Sequence, residues 1–230
     1  LSGLLEAAAE EVEQGSNAEA LSKALSRSNN LLKGLEADLE LQSILLQRMV
    51  RLHGSIGEWD RVIASQAAYE EAMARLHGVE SQKAQDARLE TLKRVADHGE
   101  RGTVPAALEA LKARVEKAGL EGSKVWFDVL REQVRVWIKL DDGGRALEAG
   151  DALLAAVERK KMRGQTRLNA RLMHAAALEF AGRYDEALAL LEQCRLNGIQ
   201  EKAKEAAMLA IENRQILIYD PASGATAATR

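Results

Sequence analysis

The sequence predicts an all-α protein, a right-handed superhelical stack of antiparallel helix pairs. Three observations predict it. The chain is rich in Ala, Leu, Glu, Arg and Lys and holds only two prolines, and such side chains lose little rotamer freedom in a helix. Apolar residues recur at helical spacing, and no stretch alternates strictly between apolar and polar as a half-buried strand would. A glycine-containing turn followed by a helix start recurs five times at nearly even intervals.

That recurrence is clearest between His174 and Leu191. A helix runs into Gly182, and Tyr184-Asp185-Glu186-Ala187-Leu188 starts the next. Glycine turns a tight corner at low steric cost. The small Ala187 allows close approach, and Tyr184 is placed to wedge between the two helices. Upstream versions of the turn begin at Gly15, Gly57, Gly102 and Gly143. The close-packing anchors are then Ala20, Val62, Ala107, Ala146 and Ala187, spaced 42, 45, 39 and 41 residues apart.

The elements follow in order. The first pair is read at 3–13 and 18–33, with Ser16 or Asn17 as N-cap. The second is read at 36–53 and 58–77. In 36–53, Leu39, Leu41, Leu45, Leu46, Met49, Val50 and Leu52 form a broad apolar face. In 58–77, Val62, Tyr69, Met73 and Leu76 share one stripe. The third pair spans 81–97 and 104–118, with Pro105 in a first turn that does not need its N–H. The fourth spans 123–139 and 144–161, entered through the turn at Asp141-Asp142-Gly143-Gly144. The fifth spans 165–181 and 184–196. A last helix, 201–218, has no second helix after it, so its apolar face needs a cover. Residues 1–219 are thus read as a single repeat domain and 220–230 as a flexible tail or linker, too small and polar to bury a core.

Gly182, Tyr184, Ala187 and Leu191 occupy signature positions of the tetratricopeptide repeat family, which the segment 168–196 resembles. The family period is about 34 residues, so the longer spacing here implies longer helices or loops. Such lengthened repeats resemble those in the sensor domains of maltose-regulator-type bacterial transcription activators. They are also similar to repeats of peptide-sensing regulators and of scaffold subunits in proteasome-lid-like complexes. The resemblance implies a superhelix whose first helices line a concave face that holds an extended peptide or a partner helix. On that alignment the concave residues of the last clear unit are Asn169, Leu172, Met173, Ala176, Glu179 and Phe180. Where relatives that clamp a C-terminal carboxylate place Asn, this chain has Met173 and Ala176.

Trp126 and Trp137 lie 11 residues apart on helix 123–139. That spacing puts them on one face, as an interface hot spot or, on the competing reading, as core between repeats. Arg159, Lys160, Lys161, Arg163, Arg167 and Arg171 form a basic cluster where one helix ends and the next begins. It would meet phosphates or an acidic partner, or serve only to complement a helix C-terminus.

Several classes find no support. The net charge of −3 supplies no basic face for nucleic acid. No apolar stretch is long enough to span a bilayer. The four histidines are dispersed, with no HExxH and no pair at i, i+4, so neither a metal nor a cofactor is expected. The sole cysteine, Cys194, reads as buried core, and a single thiol fits a reducing, cytoplasmic setting. No phosphate loop, dinucleotide fingerprint or nucleophile elbow is present, so no enzyme is expected. The chain begins at Leu1 rather than Met, which reads as a fragment or a processed chain, so the lack of a targeting signal carries no information. The leading expectation is a non-catalytic scaffold that binds a protein or peptide partner in the concave groove. The alternatives are a ligand- or peptide-sensing domain of a bacterial transcription regulator, and a module that self-assembles through helix 201–218.

Overall fold

The computed structural model describes residues 38–200, with side chains as far as Leu196, together with residues 26, 28, 30–32 and 34. The helices expected at 3–13 and 201–218, most of 18–33 and the tail 220–230 lie outside the described residues. Eight helices fill residues 39–200: α1 Leu39–Ser55, α2 Trp59–His77, α3 Gln82–His98, α4 Val104–Lys117, α5 Lys124–Lys139, α6 Gly143–Arg159, α7 Gly164–Phe180 and α8 Tyr184–Gln200. A 3-10 turn at Arg101–Thr103 leads into α4. No strand occurs among the described residues. The fold is all-α, with consecutive helices packed pairwise, and α1 to α7 begin and end within three residues of their expected bounds.

Side chains at the entries explain those boundaries. Asp38 accepts a hydrogen bond from Leu41 N at 3.0 Å, and Ser81 from Ala84 N at 3.2 Å. Asp142 accepts from Arg145 N at 3.0 Å. Each satisfies a donor that the first turn leaves orphaned. At the exits of α4 and α7 the chain turns through Gly119 and Gly182, at φ +73° and +77°. The same left-handed step follows α5 at Asp141 (φ +60°) and α6 at Lys161 (φ +52°), where side chains are disfavoured.

The chain divides into two compact units, Leu1–Glu121 and Gly122–Arg230. In the first, α1 packs on α2, α2 on α3 and α3 on α4. Its core holds Leu45, Leu46 and Met49 of α1, Val62 of α2, Leu89, Leu92 and Ala96 of α3, and Val104, Leu108, Leu111 and Val115 of α4. Burying one such Leu or Val is worth about 1.5–3 kcal/mol.

In the second unit α6 packs between α5 and α7, α5 also touches α7, and α8 packs on α7. Helix α5 buries Val125 through Leu130 without a break, so it is covered on more than one face. Leu168 and Ala175 of α7 meet Leu191 and Cys194 of α8. The anchors Val62, Ala146 and Ala187 are buried and Ala107 is half-buried, while Ala20 lies outside the described residues. The aromatic at the repeat corner behaves differently from expectation. Tyr184 is 55% exposed, so much of its ring lies in solvent, whereas Ala187 is fully buried and takes the close-packing place. No helix among the described residues is long and apolar enough to cross a membrane.

Candidate binding grooves

Each unit carries a groove built the same way. Two successive first helices form its walls, and the second helix between them forms its floor. In the first unit the walls are α1 (Gln47, Val50, Arg51) and α3 (Lys83, Asp86, Ala87, Glu90, Arg94), with Gln66, Tyr69 and Met73 of α2 below. The space is about 490 Å³. In the second unit the walls are α5 (Lys124, Phe127, Asp128, Arg131) and α7 (Gln165, Thr166, Asn169, Ala170), with Leu153 and Val157 of α6 below. That space is about 310 Å³. Wall residues recur at i, i+3 and i+4 because those positions share a helix face.

The two grooves differ in their electrostatics. In the second unit the buried Asp128 bridges its own neighbours. Lys124 Nζ lies 2.5 Å from one carboxylate oxygen and Arg131 NH2 2.9 Å from the other. In the first unit Glu90 is held by Lys93 at 2.6 Å. Tyr69 Oη accepts from Gln47 Nε2 at 2.7 Å across the groove. Arg51, Lys83 and Arg94 have no hydrogen bond or ion pair to any described residue.

The candidate residues from the sequence fall in several places. Asn169 lines the second unit's groove and accepts from Gln165 Nε2 at 2.8 Å. Leu172 packs instead on the core shared with α8. Met173 and Glu179 are half-buried, Ala176 is buried, and Phe180 is exposed at the end of α7. Trp126 is 2% exposed, its ring edge-on to Phe127 with centroids 5.1 Å apart, and so takes the core place. Trp137 is half-buried beneath Arg145, whose guanidinium carbon sits 4.7 Å from the ring centroid. The 11-residue spacing therefore does not give the two tryptophans a common environment.

The basic cluster spans the α6–α7 connection. Arg159 closes α6, Lys160 and Lys161 form the turn, Arg163 precedes α7, and Arg167 and Arg171 lie along it. The aliphatic stem of Lys160 lies over Gly122, where an added Cβ would stand 3.5 Å from it. Burial pushes the Cys194 thiol above its ordinary pKa, and the positive fields of Arg171 and Arg167 offset part of that rise. Glu186 is held below the usual carboxylate range by its hydrogen bonds from Arg183. Both groups of that pair are at the surface.

The sequence marks Val50, Tyr69 and Met73 of this groove only as apolar helix-face residues and assigns no binding residue in the first unit. The signal available was weak, since Arg51, Lys83 and Arg94 look like any other surface cations until the pairing of their neighbours is known.

No family model and no curated protein matches the chain. Among solved structures it is similar to two crystal structures of a putative kinesin light chain with nearly identical TPR-like repeats from Podosopora anserina. Both are 17% identical, with TM-scores of 0.66 and 0.64 over 88% of this chain and 96% and 97% of theirs. The likeness is one of fold, an array of tetratricopeptide-like helix pairs.

Proposed function

We propose that this chain is a non-catalytic scaffold that holds an extended peptide or a helix of a partner protein in the grooves walled by its first helices. One observation carries the reading: the two units repeat the same groove from equivalent helices, although most of the wall residues differ between them. The tetratricopeptide-like fold supports it, since such stacks present a continuous groove face. So does the lining, which combines an apolar floor with polar and charged walls, the makeup that peptide recognition needs. In the second unit Thr166, Asn169 and Phe127 are the contacts assigned to the partner, with the cluster Arg159, Lys160, Lys161, Arg163 and Arg167 at its edge.

The test is selection of binders from a display library of random 12-residue peptides against the full chain. Enriched peptides are expected. The paired substitution Thr166→Trp and Asn169→Trp would fill the second groove, and Gln47→Trp the first. At least one of these should weaken a selected peptide by about tenfold or more, roughly 1.4 kcal/mol, with helicity unchanged by circular dichroism. If no peptide is enriched, or binding survives both groove fillings, the reading is wrong.

A further inference from the structure

The groove of the first unit carries more information than its shape. Its walls hold three cations, Arg51 of α1 and Lys83 and Arg94 of α3, none paired with a described residue. Its two anions are already engaged. Glu90 is bound to Lys93 at 2.6 Å, and Asp86 also has a partner. Elsewhere in the unit cations find carboxylates, as Arg88 finds Glu70 at 3.1 Å. A chain with a net charge of −3 thus keeps, on one groove, three cations without a described partner beside two engaged anions.

A second, independent feature lies on the groove floor. Gln66 is 6% exposed and lines the groove, yet its side-chain amide makes no hydrogen bond to any described residue. Only its backbone carbonyl is used, accepting from Thr91 Oγ1 at 3.5 Å. A primary amide carries both donor and acceptor, and on the wall above it the Arg94 Nε is buried without a described hydrogen-bond partner, a costly arrangement for a donor that no ligand meets. A peptide amide is one group that can meet both ends of the Gln66 side chain at once. Tyr69 adds a hydroxyl whose oxygen is taken by Gln47 while its proton has no described acceptor. The floor thus asks for a peptide backbone and the walls ask for carboxylates.

We infer that the groove between α1 and α3 takes an extended acidic peptide segment of a partner protein. The backbone of that segment pairs with the Gln66 amide, and its Asp or Glu side chains meet Arg51, Lys83 and Arg94. Alternate residues of an extended strand point the same way, so carboxylates two residues apart reach one wall together. Arg51 and Arg94 present forks that accept a carboxylate through two hydrogen bonds. This inference rests on the peptide-groove reading above and assigns its partner chemistry.

The experiment is the same 12-residue display selection, run on the full chain and on the variant Arg51→Glu/Lys83→Glu/Arg94→Glu. Arg51→Glu/Lys83→Glu is carried alongside in case Arg94, which is half-buried, is needed for folding. The expected result is strong enrichment of Asp and Glu on the full chain and its loss on the charge-reversed variants. A synthesised winner should bind the reversed variants at least tenfold more weakly. Its affinity for the unchanged chain should fall as salt rises from 50 to 500 mM, because added ions screen the pairs. Gln66→Leu should weaken the same peptide without changing the acidic preference. Peptides that are enriched without acidic bias, or that bind only the second unit's groove, overturn this inference and leave the peptide-groove reading standing. No enrichment of any kind overturns both.

Discussion

Trp59 and His98 stack face to face, with ring centroids 3.6 Å apart and planes 3° from parallel. Trp59 opens α2 and His98 closes α3, so the stack clips the start of one helix to the end of the next. Ile63 lies beside it, within 3.2 Å of where a Cβ on Gly99 would stand. Aromatic pairs add about 0.5–1.5 kcal/mol beyond burial. Trp59 is 37% exposed, so burial adds only part of its full amount. Trp59→Ala is expected to lower unfolding free energy by about 1–2 kcal/mol in urea titrations. His98→Ala on top of it should add little, because the two rings share one interaction. Full additivity of the two substitutions would show that the stack contributes nothing.

Two adjacent glycines at the start of α6 should respond oppositely to the same change. A Cβ on Gly143 would stand 2.8 Å from the Phe180 carbonyl oxygen and 3.2 Å from the Ala181 Cα, both backbone atoms. A Cβ on Gly144 would meet only an Asp142 carboxylate oxygen at 3.7 Å. Gly143→Ala is expected to destabilise by about 1–3 kcal/mol through overpacking. Gly144→Ala should be neutral or stabilise by up to about 1 kcal/mol, by narrowing the unfolded ensemble. Equal thermal midpoints for the two variants would contradict the packing described.

Helix exits provide a third comparison. Lys161 and Asp141 take the left-handed step that Gly119 and Gly182 take elsewhere, and their amides close the preceding turn on Glu158 O at 2.9 Å and Ile138 O at 3.1 Å. The conformation costs a side-chain-bearing residue about 1–2 kcal/mol. Lys161→Gly should therefore raise the midpoint of thermal unfolding, and Gly182→Ala should lower it. A fall on Lys161→Gly would mean that its side chain makes a contact worth more than the strain.

Helix entries give the converse. Removing the Ser81 or Asp142 side chain leaves a first-turn amide without its acceptor. Ser81→Ala and Asp142→Ala are each expected to cost about 1 kcal/mol. Ser81→Asp and Asp142→Asn should retain most of it. Chemical denaturation followed at 222 nm checks all four.

Cys194 gives the pH dependence. Burial raises its folded pKa above that of the unfolded thiol. The folded state thus favours the protonated form. Its stabilising contribution is complete below the unfolded value and is lost as pH rises through that value toward the folded one. The urea midpoint should fall more between about pH 7 and pH 10 in the unchanged chain than in Cys194→Ala. Native protein should react slowly with a disulfide reagent at about pH 8 and quickly once unfolded. Fast reaction of the native thiol would show that the α7–α8 core opens readily.

The helices were legible in the sequence because their ends are local. Ser81 and Asp142 announce entries, Gly119 and Gly182 announce exits, and the apolar stripe of Leu45, Met49 and Leu52 needs no partner to be seen. What local pattern cannot supply is the second face. Trp126 and Trp137 share a stripe on paper, but α5 is packed on more than one side, so one ring is enclosed and the other lies under Arg145. Asn169, chosen by position in the repeat, lines a groove, whereas Leu172, chosen by the same alignment, packs toward α8. The cations of the first groove were illegible for a related reason. Arg88 and Arg94 sit on one helix, and only the fold reveals that Arg88 meets a carboxylate 18 residues away while Arg94 meets none among the described residues.

The grooves also decouple two kinds of module. The unit of chain growth is a helix pair, as α1 with α2 or α5 with α6. On the proposed function the unit of recognition is three helices, because each groove borrows its far wall from the following pair. Duplicating one pair would therefore create a whole new site at the junction, with one wall inherited from each parent. Recombination between repeats would generate new combinations of wall charges while leaving every floor intact, so binding preference can diversify without any change to the packed interior.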